Sequence, residues 1–161
     1  MAVRNATRDD LERVLQIYEK ARAYMQSTGN PDQWGVLYPP QKLVEQDIDE
    51  ENLFVLVDEG EIYGVFAFFP EGDTVYDNID GAWLNDLPYA AIHRVASAGT
   101  RRGVLGDCVA FCLTLSKNLK IDTHTDNKIM QHQLKKAGFI ECGIIHLDNG
   151  EPRIAFQLFS K

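Results

Sequence analysis

The sequence has 161 residues, 45% hydrophobic and 25% charged, and its 24 acidic residues against 16 Lys plus Arg give a formal net charge of -8. A chain of this size suits a single domain over residues 1–161 that folds without disulfides or a structural metal, as three cysteines cannot close a disulfide framework. The acidic balance argues against a nucleic-acid surface, and no apolar run approaches the roughly 18 residues of a membrane helix.

Residues 1–5 lack the charged and apolar regions of a signal peptide, so a cytoplasmic protein that meets no membrane is expected. Ala2 to Ala6 reads as a strand. Thr7 and Asp10 resemble a capping box before a helix whose apolar positions are Leu11, Val14, Leu15, Tyr18 and Met25, ended by Gly29-Asn30-Pro31. A loop over 32–38 carries Trp34 and Tyr38. Pro39 and Pro40 then start a second helix with Leu43, Val44 and Ile48 on its apolar side. Leu53 to Val57 and Ile62 to Phe69, split by Asp58-Glu59-Gly60-Glu61, form a hairpin.

The stretch 71–88 reads as irregular and holds Tyr76 and Trp83; a strand follows from Tyr89 to about Ala96. After Gly103 and Gly106, Cys108, Phe111, Cys112 and Leu115 share one face of a third helix, and Leu119 to Thr123 is a strand. Asp126 opens a fourth helix with Ile129, Met130, Leu134 and Ala137 as its stripe, and Gly138 ends it. Glu141 to Leu147, the turn 148–150 and Arg153 to Leu158 make a closing hairpin. This order predicts a mixed sheet with helices on both faces, and a parallel crossover from the Tyr89 strand to the Leu119 strand.

Two junctions carry candidate chemistry. The turn from Ser97 to Asp107 contains Gly99, Gly103 and Gly106 beside Arg101 and Arg102. Backbone N–H groups at the start of a helix, with the dipole behind them and two guanidinium groups alongside, suit a phosphate. Glycines that merely permit a tight turn are the alternative. At the second junction, Asp122 and His124 lie on one face of an extended strand, close to Asp126 and Asn127. No second cluster has matching ligand spacing, so no metal is expected, and Thr125 or Asp126 is a natural N-cap. His93, inside an apolar strand, is either a general base or a histidine satisfied by a backbone carbonyl. Trp34, Tyr38, Tyr76, Trp83 and Tyr89 either line a pocket for an amine or plug the ends of the sheet.

Together these features resemble the GCN5-related N-acetyltransferase (GNAT) superfamily over the whole chain. The similarity is to a bacterial group with an Ile-His-Arg-Val-Ala-Ser strand (Ile92 to Ser97), an Asp-Thr-His stretch leading to Asn127, Lys136-Ala137-Gly138-Phe139, and Cys142-Gly143-Ile144-Ile145. Gly29 to Trp34 and Tyr38-Pro39 match its early loop. The resemblance implies a three-layer α/β/α fold with a central mixed, mostly antiparallel twisted sheet of about seven strands, and about four helices. It implies acetyl transfer from acetyl-CoA to a primary amine, of a small molecule or of a peptide or protein, by direct attack in a ternary complex.

The implied cofactor residues are Val95, Ala96, Arg101, Arg102, Gly103, Val104, Leu105, Gly106 and Asn127. The family's Gln/Arg-x-x-Gly-x-Gly/Ala pattern fits imperfectly. A register from Thr100 keeps Gly103 and puts Leu105 at the small position; one from Arg101 keeps Gly106 and puts Val104 at the middle glycine. The first is favoured because it leaves Val95 in the strand that meets the pantetheine arm. The candidate base is His93, from its place in the strand, with Asp122 and His124 behind it. Leu134 stands where the family has a tyrosine acid, which leaves a loop tyrosine, His93, His124 or water to supply that proton. The rivals are a non-catalytic CoA-binding or sensor domain and a purely structural protein. The closing hairpin offers an edge for a homodimer.

Overall fold

The computed structural model describes residues 2–161. Its strands are β1 (Ala2–Asn5), β2 (Leu53–Asp58), β3 (Glu61–Phe69), β4 (Asp80–Gly81), β5 (Ala90–Ser97), β6 (Asn118–Thr123), β7 (Ile140–His146) and β8 (Pro152–Phe159). They form one eight-stranded sheet in the order β1-β2-β3-β5-β6-β8-β7-β4. The helices are α1 (Leu11–Ser27), α2 (Gln41–Asp49), α3 (Val104–Leu115) and α4 (Lys128–Lys136).

The near-continuous apolar run of β3 reflects cover on both faces. Val55, Val65 and Ala67 face Val14, Ile17, Tyr18, Val44 and Ile48 of α1 and α2. Leu56, Phe66 and Ile92 pack on the other face with Leu105, Cys108, Cys112 and Leu134 of α3 and α4. Gly64 lets the start of α3 sit close, because a Cβ there would lie 2.8 Å from both Leu56 Cδ1 and Val104 Cγ1.

Two irregularities make room for a site. β5 and β6 run parallel but pair only through Ala90 with Leu119 and Ala91 with Lys120, so their carboxyl-terminal halves part. Between β3 and β5 the register jumps: Ala67 faces His93 and Val65 faces Ala96, leaving Arg94 and Val95 opposite Phe66 alone. This is a β-bulge, and Arg94 occupies it with φ +53°. A non-glycine residue in this left-handed region costs about 1–2 kcal/mol, so neighbouring contacts must hold it there.

Several sequence expectations need correction. The stretch 71–88 contains the short turn Thr74–Tyr76 and an eighth strand, β4, against Gly143 and Ile144. Strands without alternating apolar residues, such as Asp80-Gly81, carry no periodic signal. α3 starts at Val104, ahead of Gly106, and Leu115 is 54% exposed rather than part of its buried face. The N-cap of α4 is Asn127, whose Oδ1 accepts from Met130 N at 3.0 Å, instead of Thr125 or Asp126. Ile129 is exposed rather than buried with Met130 and Leu134.

Candidate active site

Two cavities open where β5 and β6 part. One, of about 1020 Å³, follows the carboxyl-terminal end of β5, the turn 99–103 and the first residues of α3. The other, of about 540 Å³, lies between the 33–38 loop, β5, β6 and the β7–β8 turn. Met25, Val95, Asn127 and Met130 line both, so the cavities meet beside the bulge.

The larger groove suits an anion. Lys20, Arg101, Arg102 and Lys136 line it, and among the described residues no Asp or Glu does, although the chain carries a net charge of -8. Gly103, Val104, Leu105 and Gly106 all line its wall. Gly103 is the N-cap of α3 with φ +85° and gives the helix no side-chain cap. The first-turn N–H groups therefore have no intrahelical or capping acceptor and stand at the groove wall. The two arginines differ. Arg101 is engaged by Asp58 at 3.0 Å, Asp107 at 3.5 Å and the Tyr63 ring at 4.3 Å. Arg102 makes no ion pair among the described residues.

The smaller cavity is built around His93. Its Nε2 lies 2.7 Å from Asp73 Oδ2, and its Nδ1 lies 4.0 Å from Asp122 Oδ2 without a hydrogen bond among the described residues. Asp122 is fixed from behind by the Tyr76 hydroxyl, which donates to Oδ2 at 2.6 Å. Burial raises the Tyr76 pKa well above its ordinary value, and Asp122 adds to this, so the phenol stays protonated. The hydrogen bond from His93 holds the Asp73 carboxyl below its usual range. An ionised Asp73 accepts a hydrogen bond from Nε2–H and leaves the Nδ1 lone pair free.

Arg94 is held by a second cluster. Its Nε and Nη2 each donate to Asp47 at 2.9 Å, its Nη1 donates to the Tyr38 hydroxyl at 3.1 Å, and its carbonyl accepts from the Tyr18 hydroxyl at 2.9 Å. Tyr18 and Asp47 are buried. These contacts clamp the bulge from α1, α2 and the 33–38 loop at once. The loop also brings in Gln33, whose Oε1 accepts from Asn30 Nδ2 and Asn127 Nδ2, each at 2.9 Å.

The structure thus gathers His93, Asp122, Trp34 and Tyr38 on one cavity and Val95, Asn127 and the 101–106 turn on the groove. Ala96 also lines the groove. Tyr76, Trp83 and Tyr89 line neither. They pack behind the site, with Trp83 and Tyr89 stacked over the Lys120 ammonium at 3.9 Å each, because aromatics in an irregular segment can equally seal a core. His124 also lines neither cavity; its Nδ1 accepts from Asp126 N at 3.0 Å, as β6 ends one residue earlier. Leu134 is fully buried among core side chains. Asp73, Asp47 and Tyr18 escaped the sequence reading. Each is far in sequence from its partner, and no local pattern links Asp73 to His93 or Asp47 to Arg94. Among the described residues no group of three or more His, Cys, Asp or Glu could hold a metal ion.

No protein-family model and no curated protein matches the chain. Solved structures do. A GNAT-family acetyltransferase from Streptococcus agalactiae aligns with TM-score 0.89 and 29% identity over 99% of this chain and 95% of that one. A GNAT-family acetyltransferase from Listeria monocytogenes gives TM-score 0.72 at 17% identity over 98% and 94%. A ribosomal-protein-alanine N-acetyltransferase from Brucella melitensis gives 0.63 at 17% over 99% of both chains. The last two share the fold alone.

Proposed function

The chain belongs to the GNAT superfamily, and on that premise we propose that it transfers the acetyl group of acetyl-CoA to the primary amine of a cationic acceptor, both bound at once. The observation that carries this is the meeting of two cavities of opposite character at Val95 and Asn127. The groove fits the cofactor: a helix start without a side-chain cap and four cations, with Arg102 in no ion pair among the described residues, match a diphosphate in charge and donor set. Bound there, acetyl-CoA supplies an activated acyl carbon for the amine to attack.

The protein's own groups do the rest. The bulge takes Val95 out of the β3–β5 ladder, so its N–H is suited to polarise a thioester carbonyl at the junction. His93 Nδ1 takes the proton of the incoming ammonium, with Nε2–H held by Asp73. Asp122, locked by Tyr76, offers the developing imidazolium a negative charge. As the amine nitrogen bonds to the acyl carbon the C–S bond would break, and His93, having taken the ammonium proton, would return it to the CoA thiolate, since Leu134 can donate nothing. Met25 and Met130 supply apolar walls to the junction.

The cavity charge points to the acceptor. Asp73, Asp122 and Asp148 line it, while its two arginines are committed, Arg94 to Asp47 and Arg153 to Glu151 and backbone carbonyls. A panel of polyamines, aminoglycosides, amino-acid amides, free amino acids and peptides, read by thiol release from acetyl-CoA, tests the proposal. Dicationic amines should turn over faster than amines bearing a carboxylate, and their advantage should shrink with added salt. Thiol release from none of them would leave the second reading, a non-catalytic CoA-binding domain, which the buried Leu134 favours.

A further inference from the structure

Among the described residues, the side-chain oxygen of Asn30 is the buried polar side-chain atom left without a hydrogen-bond partner. The residue is 2% exposed and lines the larger groove. Burying such an oxygen unpaired is costly, so an orphan acceptor on a residue that lines a cavity marks a place where a ligand's donor belongs once the lining side chains give way to it.

Its orientation is fixed by a chain of amides. Met130 N donates to Asn127 Oδ1 at 3.0 Å, which aims the Asn127 amino group outward. That group donates to Gln33 Oε1, which must therefore be the oxygen of Gln33; Thr123 Oγ1 donates to the same atom at 3.4 Å. Asn30 then meets Gln33 with its amino group, at 2.9 Å. A flip of Asn30 would set oxygen against oxygen, so Oδ1 cannot escape into the network.

We propose that Asn30 Oδ1 accepts a hydrogen bond from an amide N–H of the pantetheine arm of the CoA thioester. The proposal rests on the acyl-CoA reading of the groove. It makes the α1–α2 connection part of the cofactor site: Asn30 grips the arm from the side opposite β5, and Gln33 passes that grip to the acceptor cavity. The groove lining beside Asn30 is apolar or cationic, with Met25, Ala21 and Lys20, so an N–H donor on the ligand is what the oxygen lacks.

Calorimetric titration of the full chain with CoA and with adenosine 3′,5′-bisphosphate, which lacks the arm, separates the possibilities. Asn30→Ala should weaken CoA about tenfold and leave the bisphosphate unchanged. CoA analogues with an ester in place of one or other pantetheine amide should show one analogue weakened in the wild type and weakened no further in Asn30→Ala. In the unsubstituted protein, the Asn30 side-chain amide nitrogen resonance should shift with CoA and stay put with the bisphosphate, a readout independent of the variant's folding. Equal CoA affinity in the folded variant, equal weakening of both ligands, or an unshifted resonance under saturating CoA would overturn the proposal and leave the acyl-CoA reading standing. Failure of the wild type to bind CoA at all would overturn both.

Discussion

Replacing Asp47 by alanine is expected to cost about 3 kcal/mol of stability, because it strands the Arg94 guanidinium, on a side chain only 11% exposed, without its carboxylate. Burial raises the Asp47 pKa above the ordinary carboxylate range even with Arg94 beside it. Burial works against the Arg94 charge too, yet Tyr38 and Asp47 hold its pKa above the ordinary value, so the liability lies in half of the pair alone. The loss of function should be larger than instability explains. With the clamp gone, Arg94 can leave its left-handed conformation, and a shift of about 1 Å in the Val95 N–H costs on the order of a hundredfold in kcat. The double variant Asp47→Ala/Arg94→Gly removes both charges and the steric cost of positive φ. Denaturant unfolding should show most of the stability regained, and kcat should recover with it. Recovered stability with kcat still at the single-variant level would mean that the Arg94 side chain itself touches the acceptor.

His93→Ala is expected to lower kcat/KM by about 10²–10⁴-fold at neutral pH. The wild-type pH–rate profile should carry an acid limb that is absent from the variant. Asp73→Asn should fall between the two, since an amide can still accept from Nε2–H but no longer supports the imidazolium. The Asp73 pKa is depressed in the folded protein, chiefly by its hydrogen bond to His93. Its carboxylate therefore contributes stability above its unfolded pKa, and that contribution fades as pH falls through the lower folded value. A His93→Ala enzyme within threefold of wild type would remove His93 as the base.

Much of the architecture was legible because it follows from periodicity. The apolar stripes of α1, α2 and α4 and the paired runs of β2 with β3 and β7 with β8 each announce themselves locally. The turn before α3 was legible for a similar reason: Gly103 marks a positive φ at a helix start. The smaller cavity was not. Asp73 reaches His93 across 20 residues and Asp47 reaches Arg94 across 47, contacts that only the folded sheet creates. The bulge was hidden because Arg94 and Val95 look like ordinary strand residues, and its strain is carried by Tyr18 and Asp47 on distant helices. Aromatic type alone did not separate Trp34 and Tyr38, on the cavity, from Tyr76, Trp83 and Tyr89, behind it.

Calorimetric titration of the purified protein with acetyl-CoA, beside the Arg102→Ala and Arg101→Ala variants, tests the central claim most directly. Saturable micromolar binding is expected, weakened severalfold by Arg102→Ala and less by Arg101→Ala, whose guanidinium is already occupied by Asp58 and Asp107. No heat of binding at millimolar acetyl-CoA, from a protein shown to be folded, would contradict the assignment of the groove and the acyl transfer built on it.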